Sequence, residues 1–360
     1  MSTSASSSIG RRYNAVLQQT MLRIRDPKVS VPFYEKHFGM QLIHKYDFPQ
    51  WKFSLYFLER TKPGTELPFK VPEEVGSKKS EEYLWNMSGG VVLELTHNHG
   101  SESDENFKPY WSGNSGKDAP KDSPLYIENG PTRGFGHIAF NVDDVYAYSA
   151  DMEAAGVKFQ KRPDEGRMKG LAFALDPDGY WVELVKRGMT FEGAPANLSQ
   201  TMMRVKDADA TIAFYQQYFD MTLIRSSGVP NDFTNYFLVS KMLPEEEKRW
   251  KEELNEEPKH PDGKDFCSKL WYPVLELTHN HGTENDSEFQ VCNGNPPNEY
   301  QGWGHIGFIV DDLHKCCAEM EEQGVKFFKR PQDGNMNNIA FALDPSGYRV
   351  ELVQRGTGFL

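Results

Sequence analysis

The chain is written twice. LQQTMLRIRDPKVSVPFYEKHFGMQLI, beginning at Leu17, returns as LSQTMMRVKDADATIAFYQQYFDMTLI from Leu198. LELTHNHG stands at Leu93 and again at Leu275, GHI at Gly136 and at Gly304. FALDPDGYWVELVKRG from Phe173 returns as FALDPSGYRVELVQRG from Phe341. An offset of about 180 residues is far longer than a solenoid unit, so it predicts two fused copies of one domain. The expected division is a disordered N-terminal tail over 1–14, a first domain over 15–190 and a second over 196–356. A length of 360 residues suits two domains.

Within each copy the pattern divides again into strand–helix–strand units. Gln19 to Arg25 reads as a strand, and Asp26-Pro27 starts a helix that ends at Gly39, with Pro32 an interruption inside it. Met40 to Ile43, Phe53 to Leu58 and Val91 to Thr96 follow as strands. A second unit opens with His137 to Val142, continues through a helix ending at Gly156, and closes with strands at Leu171 to Leu175 and Tyr180 to Val185. The later copy repeats the order. Two charged inserts stand at matching places: Arg60 to Glu82 reads as irregular, and Pro244 to Glu257 as an exposed helix opened by its proline.

A formal net charge of −12 argues against nucleic acid or an anionic membrane as partner. An anionic substrate would need local arginines against that field. No apolar run reaches membrane-span length, and MSTSASSSIG lacks the apolar stretch of a secretion signal. The four cysteines (Cys267, Cys292, Cys316, Cys317) have no counterparts in the first copy and form no CxxC, which disfavours disulfides and thiolate metal sites and suits the cytoplasm. Cys316 and Cys317 fit a helix's apolar face.

Duplication also acts as a filter. A Gln, a Glu, a His and a second Glu survive in both copies: Gln19, Glu94, His137 and Glu183, then Gln200, Glu276, His305 and Glu351. Strand side chains alternate between faces, so Glu94 lies with Thr96 and Asn98, opposite Leu93, Leu95, His97 and His99. Parity therefore selects Glu94 and leaves His97 to hydrogen-bonded packing. Glu183 shares a face with Trp181 and Val185 on a strand apolar on both sides. Burying a carboxylate there is costly unless it is paired or meets a cation. One imidazole with three side-chain oxygens suits Zn²⁺ or Ni²⁺ completed by water.

LQQTMLRI, KFSLYFL, LELTHN, RGFGHIAF and RMKGLAFALDPDGYWVEL closely resemble the eukaryotic type of the glyoxalase I family, the lactoylglutathione lyases, over nearly the whole chain and twice over. The resemblance implies an α+β fold of four tandem βαβββ modules of the vicinal-oxygen-chelate type, forming two domains with half-open mixed sheets. It implies a fused monomer with two Zn²⁺ ions, Ni²⁺ being chemically acceptable. It also implies that each site crosses between copies. Gln19 and Glu94 would join His305 and Glu351, and Gln200 and Glu276 would join His137 and Glu183; spacing alone does not give this.

The implied reaction isomerises the methylglyoxal–glutathione hemithioacetal to S-D-lactoylglutathione through a metal-stabilised enediolate. Glu183 and Glu351 hold the family's base position, and Glu94 and Glu276 face the opposite side. By family position Arg23 and Asn98, and in the other site Arg204 and Asn280, hold the γ-glutamyl end. Further contacts differ between copies: Arg133, Arg167 and Met168 in the first correspond to Gln301, Asn335 and Met336 in the second. The Arg23 site is then expected to hold glutathione more weakly, unless a lysine such as Lys329 substitutes. Two other readings compete. A dioxygenase favours two histidines and one carboxylate, against one histidine per set here. A metal-free binding protein has no use for buried Glu183 and Glu351.

Overall fold

The computed structural model describes residues 7–166 and 168–358. The first copy runs α1 (Ile9–Arg12), β1 (Val16–Ile24), α2 (Pro27–Phe38), β2 (Gln41–Phe48), β3 (Phe53–Glu59), α3 (Lys78–Trp85), β4 (Val92–Asn98), β5 (Phe135–Val142), α4 (Val145–Ala154), β6 (Phe159–Lys161), β7 (Leu171–Leu175) and β8 (Trp181–Lys186). The second runs β9 (Ala196–Val205), α5 (Ala208–Phe219), β10 (Thr222–Val229), β11 (Phe233–Val239), α6 (Pro244–Glu252), α7 (Gly263–Ser268), β12 (Val274–Asn280), β13 (Trp303–Val310), α8 (Leu313–Glu322), β14 (Phe327–Lys329), β15 (Ile339–Leu343) and β16 (Arg349–Gln354). These are four βαβββ modules, two per copy, with helical inserts.

Local chemistry repeats with the modules. Each module helix begins on an aspartate, at Asp26, Asp144, Asp207 and Asp312, whose carboxylate accepts a free backbone N–H of the first turn. Such a cap typically contributes about 1 kcal/mol. Helix α2 stops at Gly39, where φ is 60°, a left-handed conformation that glycine adopts without a Cβ penalty. Pro32 removes one backbone donor inside α2, yet the helix continues to Phe38, because Tyr34 and Phe38 are fully buried on its inner face.

The sheets do not follow the sequence copies. One eight-stranded sheet has the order β14-β15-β16-β13-β1-β4-β3-β2, and the other β10-β11-β12-β9-β5-β8-β7-β6. Each joins one module from each copy, the first strands meeting antiparallel: β1 with β13, where Met21 faces His305, and β9 with β5, where Met202 faces His137. Within modules β4 runs parallel to β1, and β3 antiparallel to β4, so the sheets are mixed.

Aromatic packing ties the modules in the other direction. Phe38 of α2 stacks on Phe140 of β5 with centroids 3.9 Å apart, and Phe219 of α5 lies 4.2 Å from Phe308 of β13. Phe135 and Trp303 stack 5.4 Å apart. One large apolar cluster therefore draws on both sheets, while smaller clusters lie under the inserts, around Trp85 and around Trp250. Cys316 and Cys317 lie in the large cluster.

Three expectations need correction. The tail expected to be unstructured through residue 14 is ordered from Ile9: Ile9 is fully buried, Gly10 packs so closely on α5 that a Cβ would lie 2.3 Å from the Asp220 nitrogen, and Ser8 donates to Asp220 at 3.0 Å. Residues 1–6 lie outside the described residues. The first insert ends in a helix, α3, because Leu84 and Trp85 are buried, Trp85 against Phe57 of β3. The helix at Pro244 is amphipathic rather than wholly exposed. Trp250 is buried, and buried Glu246 accepts from the Trp271 backbone at 2.9 Å.

Candidate metal centres

In the first sheet, β1 and β4 present Gln19 and Glu94, and β13 and β16 present His305 and Glu351. Parallel pairing sets Met21 beside Glu94, antiparallel pairing sets Met21 opposite His305, and Gly307 pairs with Glu351, so the four side chains converge at the seam. Gln19 Nε2 donates to Glu94 Oε2 at 2.7 Å and to Glu351 Oε2 at 2.5 Å. His305 Nε2 lies 3.2 Å from Glu351 and 3.4 Å from Glu94. In the second sheet Gln200 Nε2 donates to Glu183 and to Glu276, each at 2.8 Å, and His137 Nε2 lies 3.2 Å from Glu183 and 3.5 Å from Glu276. Each cluster thus pairs Gln and Glu of one copy with His and Glu of the other.

Electrostatics bear on what these clusters can hold. Burial acts to lower the basicity of His305, but the carboxylates of Glu351 and Glu94 outweigh it and raise its pKa to about 9. His137 is likewise raised to about 9 against its burial, by Glu183 and Glu276. Glu351 is itself pushed up by burial, with His305 opposing. Two buried carboxylates hold more negative charge than one imidazolium neutralises. Gln19 Oε1 is also buried without a hydrogen-bond partner. An orphaned amide oxygen beside two acids and an imidazole fits a divalent cation. The ligating atoms of each His/Glu/Glu set lie within 4.8 Å of one another.

A cavity of about 320 Å³ opens above the first cluster, walled by Met21, Phe53, Leu55, Met336, Ile339 and Phe341. Arg23, Asn98 and Gln301 also line it. The guanidinium of Arg23 is buried and donates to the carbonyls of Gly294 and Gly302 at 3.1 and 3.0 Å and to Asn295 Oδ1 at 2.9 Å. Arg204 is held in the same way in the second sheet, by Gly134, Phe135 and Asn114. Asn98 donates to the Tyr110 hydroxyl at 3.2 Å, and Asn280 ends β12 half-buried. Met168 and Asn335 are exposed, and Arg167 lies outside the described residues.

The cation that neighbours each buried arginine comes from a different position. Arg133 stands close enough to Arg204 to lower its pKa, which burial chiefly brings down to about 10, and Arg133 is itself fastened to Asp118 at 3.1 Å. Gln301 takes the place of Arg133 in the first chamber. There Arg349, two residues before Glu351 on the same strand face, lies near Arg23. Its pKa is brought down to about 10 by burial and then by Arg23. Its counterpart is Trp181, so it is not among the residues the two copies share. Lys329 donates to the carbonyls of Arg330, Met336 and Ile339 and holds its loop. His97 lies off the cluster and pairs with Glu102 at 2.8 Å.

Paired mixed sheets of βαβββ modules, each enclosing a Gln/Glu/His/Glu cluster, define a protein of the vicinal-oxygen-chelate class. The chain belongs to the Glyoxalase/Bleomycin resistance protein/Dioxygenase superfamily, whose profile matches residues 16–184 and 197–352. It is 39% identical to glyoxalase I of Saccharomyces cerevisiae, over 95% of this chain and 93% of that protein. To a lactoylglutathione lyase of Schizosaccharomyces pombe it is 37% identical, over 94% of this chain and 96% of the other. Among solved structures, glyoxalase I from Zea mays superposes with a TM-score of 0.61 at 25% identity, covering 96% of this chain and 94% of that one.

Proposed function

We propose that the chain is a lactoylglutathione lyase with two chambers, isomerising the methylglyoxal–glutathione hemithioacetal to S-D-lactoylglutathione and so detoxifying methylglyoxal. The observation that carries this reading is the buried His/Glu/Glu set beside a glutamine, present twice and each time drawn from both copies. The near-full-length likeness to proteins of that name supports it.

Gln19, Glu94, His305 and Glu351 would hold one divalent cation, and Gln200, Glu276, His137 and Glu183 the other. Such an ion, when bound, supplies Lewis-acid stabilisation of negative charge on neighbouring oxygens. We favour Zn²⁺, and the donor set also accepts Ni²⁺. The reaction removes a proton next to a carbonyl and returns it one carbon away. Glu351 and Glu183 would carry that proton, with Glu94 and Glu276 facing them across each cluster. Arg23 with Asn98, and Arg204 with Asn280, would orient the γ-glutamyl end, and Met336 and Met168 would border the adduct. Arg349 in one chamber and Arg133 in the other would add positive charge that a two-carboxylate substrate requires in an acidic protein, and by family position Arg167 would join Arg133.

No helix among the described residues is long and apolar enough to cross a membrane. We infer a cytoplasmic monomer with domains over 15–190 and 196–356. The deciding experiment counts metal ions per purified chain alongside turnover of the methylglyoxal–glutathione adduct. Two ions with turnover support the reading, and a metal-replete chain inert toward the adduct overturns it.

A further inference from the structure

The two clusters share their ligands but not the neighbour above them. In the first sheet β3 pairs with β4 so that Leu55 faces Thr96; in the second β11 pairs with β12 so that Asn235 faces Thr278. These are the same register position in two copies, one apolar and one carboxamide. Their hydrogen bonds differ accordingly. Beside Leu55, the Thr96 hydroxyl donates directly to Glu94 Oε1 at 3.2 Å. In the second sheet Asn235 stands between the equivalent groups. Thr278 donates to Asn235 Oδ1 at 3.0 Å, and Asn235 Nδ2 donates to Glu276 Oε1 at 2.6 Å.

A carboxamide offers two N–H donors and two acceptor lone pairs. Glu276 takes one donor and Thr278 one lone pair, so one of each is free. Asn235 is half-buried beside Glu276 of the second cluster. Leu55 is buried and forms the cavity wall with Phe53, Met21, Ile339 and Phe341. The counterparts of those four, Phe233, Met202, Leu171 and Phe173, are apolar too. This position therefore contributes a difference in polarity beside Glu94 and Glu276.

We propose that Leu55 and Asn235 sort substrates between the chambers: the Leu55 chamber takes glutathione adducts of 2-oxoaldehydes with alkyl or aryl side chains, and the Asn235 chamber those with hydroxylated side chains. The proposal rests on the lyase reading above. A hydroxyl set against Leu55 finds no partner in that side chain, whereas set against Asn235 it can both donate and accept. An aryl group beside Asn235 instead covers the amide's remaining donor and lone pair without pairing them. A site built to hydrogen-bond a hydroxyl discriminates strongly against an analogue without one.

The test uses the full metal-loaded chain in two backgrounds, Glu183→Gln, which leaves the Leu55 chamber, and Glu351→Gln, which leaves the Asn235 chamber. kcat/KM is measured for the glutathione adducts of phenylglyoxal and of 3-hydroxy-2-oxopropanal. The expected result is a phenyl-to-hydroxyl preference at least about tenfold higher in the Leu55 chamber. Leu55→Asn and Asn235→Leu should each move their own chamber toward the other's preference. Equal ratios in both backgrounds, or swaps that leave the ratios unmoved in active protein, overturn the proposal. Should the swaps fail to fold, titration of the unmutated chain with S-benzylglutathione and S-(2-hydroxyethyl)glutathione decides the matter. Opposite rank orders at the two sites support sorting, and identical orders refute it. Failure of the lyase reading shows differently, as no turnover of either adduct by the unmutated metal-loaded chain, and the proposal falls with it.

Discussion

Gln19 donates its amide hydrogen to Glu351 across 332 positions of sequence, and in the other sheet Gln200 does the same for Glu183. Neither copy can assemble a cluster from its own residues. The integrity of both sheets and of both candidate metal centres therefore depends on the same seam.

Replacing Glu183 and Glu351 together by glutamine keeps the side-chain shape but removes the carboxylates proposed to carry the proton. Turnover of the methylglyoxal adduct is expected to fall by roughly 10²–10⁴. Each single variant should keep one working chamber. Steady-state thioester formation by the three proteins is the measurement, and near-normal activity in the double variant would remove these glutamates from the mechanism.

Stripping metal with a chelator should lower the thermal midpoint as well as the activity. The buried acids of each cluster then lose their counter-charge, while any ligand that binds only the folded chain stabilises it by mass action. Calorimetry of stripped and zinc-reloaded protein checks this. His305→Ala is expected to cost one of two ions per chain and leave the His137 cluster loaded.

Glu59 makes a prediction about pH. Burial raises its carboxyl from 4.5 to about 7, with the Tyr83 hydroxyl pulling the other way. Between those values the folded chain keeps a proton that the unfolded chain releases, so this group's contribution falls as pH rises from about 4.5 to 7 and stays lost above. Glu59→Gln should leave stability nearly unchanged below that window and raise it above, by up to roughly 3 kcal/mol. Urea unfolding on both sides of the window gives the comparison, and an equal effect at both would contradict the assignment.

Gly134→Ala tests how backbone contact between the copies supports one chamber. A Cβ at Gly134 would lie 2.0 Å from the Cys292 carbonyl oxygen, and the Gly134 carbonyl also receives Arg204. The expected cost is about 1–3 kcal/mol of stability. It should come with a raised KM in the Arg204 chamber alone, measured in the Glu351→Gln background. An equal rise in the other chamber would show a general loosening instead.

Much of this architecture is legible in the sequence. Strand parity separates Glu94 from His97, and the four aspartate caps mark where module helices begin. The exchange of modules between sheets is not legible, because β1 offers the same alternating face to a strand of either copy. Arg349 and Asn235 escape for a related reason. Looking for what two copies share finds the common chemistry and hides whatever distinguishes the chambers. Helix α1 is four residues long, too short for a periodic signal, and the burial of Ile9 becomes visible only once α5 is in place.

The interleaved sheets also constrain how this molecule can change over generations. A substitution in either half is felt in a chamber that the other half completes, so neither repeat is free to decay as a spare. Yet a position such as Leu55 or Asn235 touches one chamber only. The duplication thus binds its halves to a common fate in folding while leaving each reaction vessel open to its own refinement.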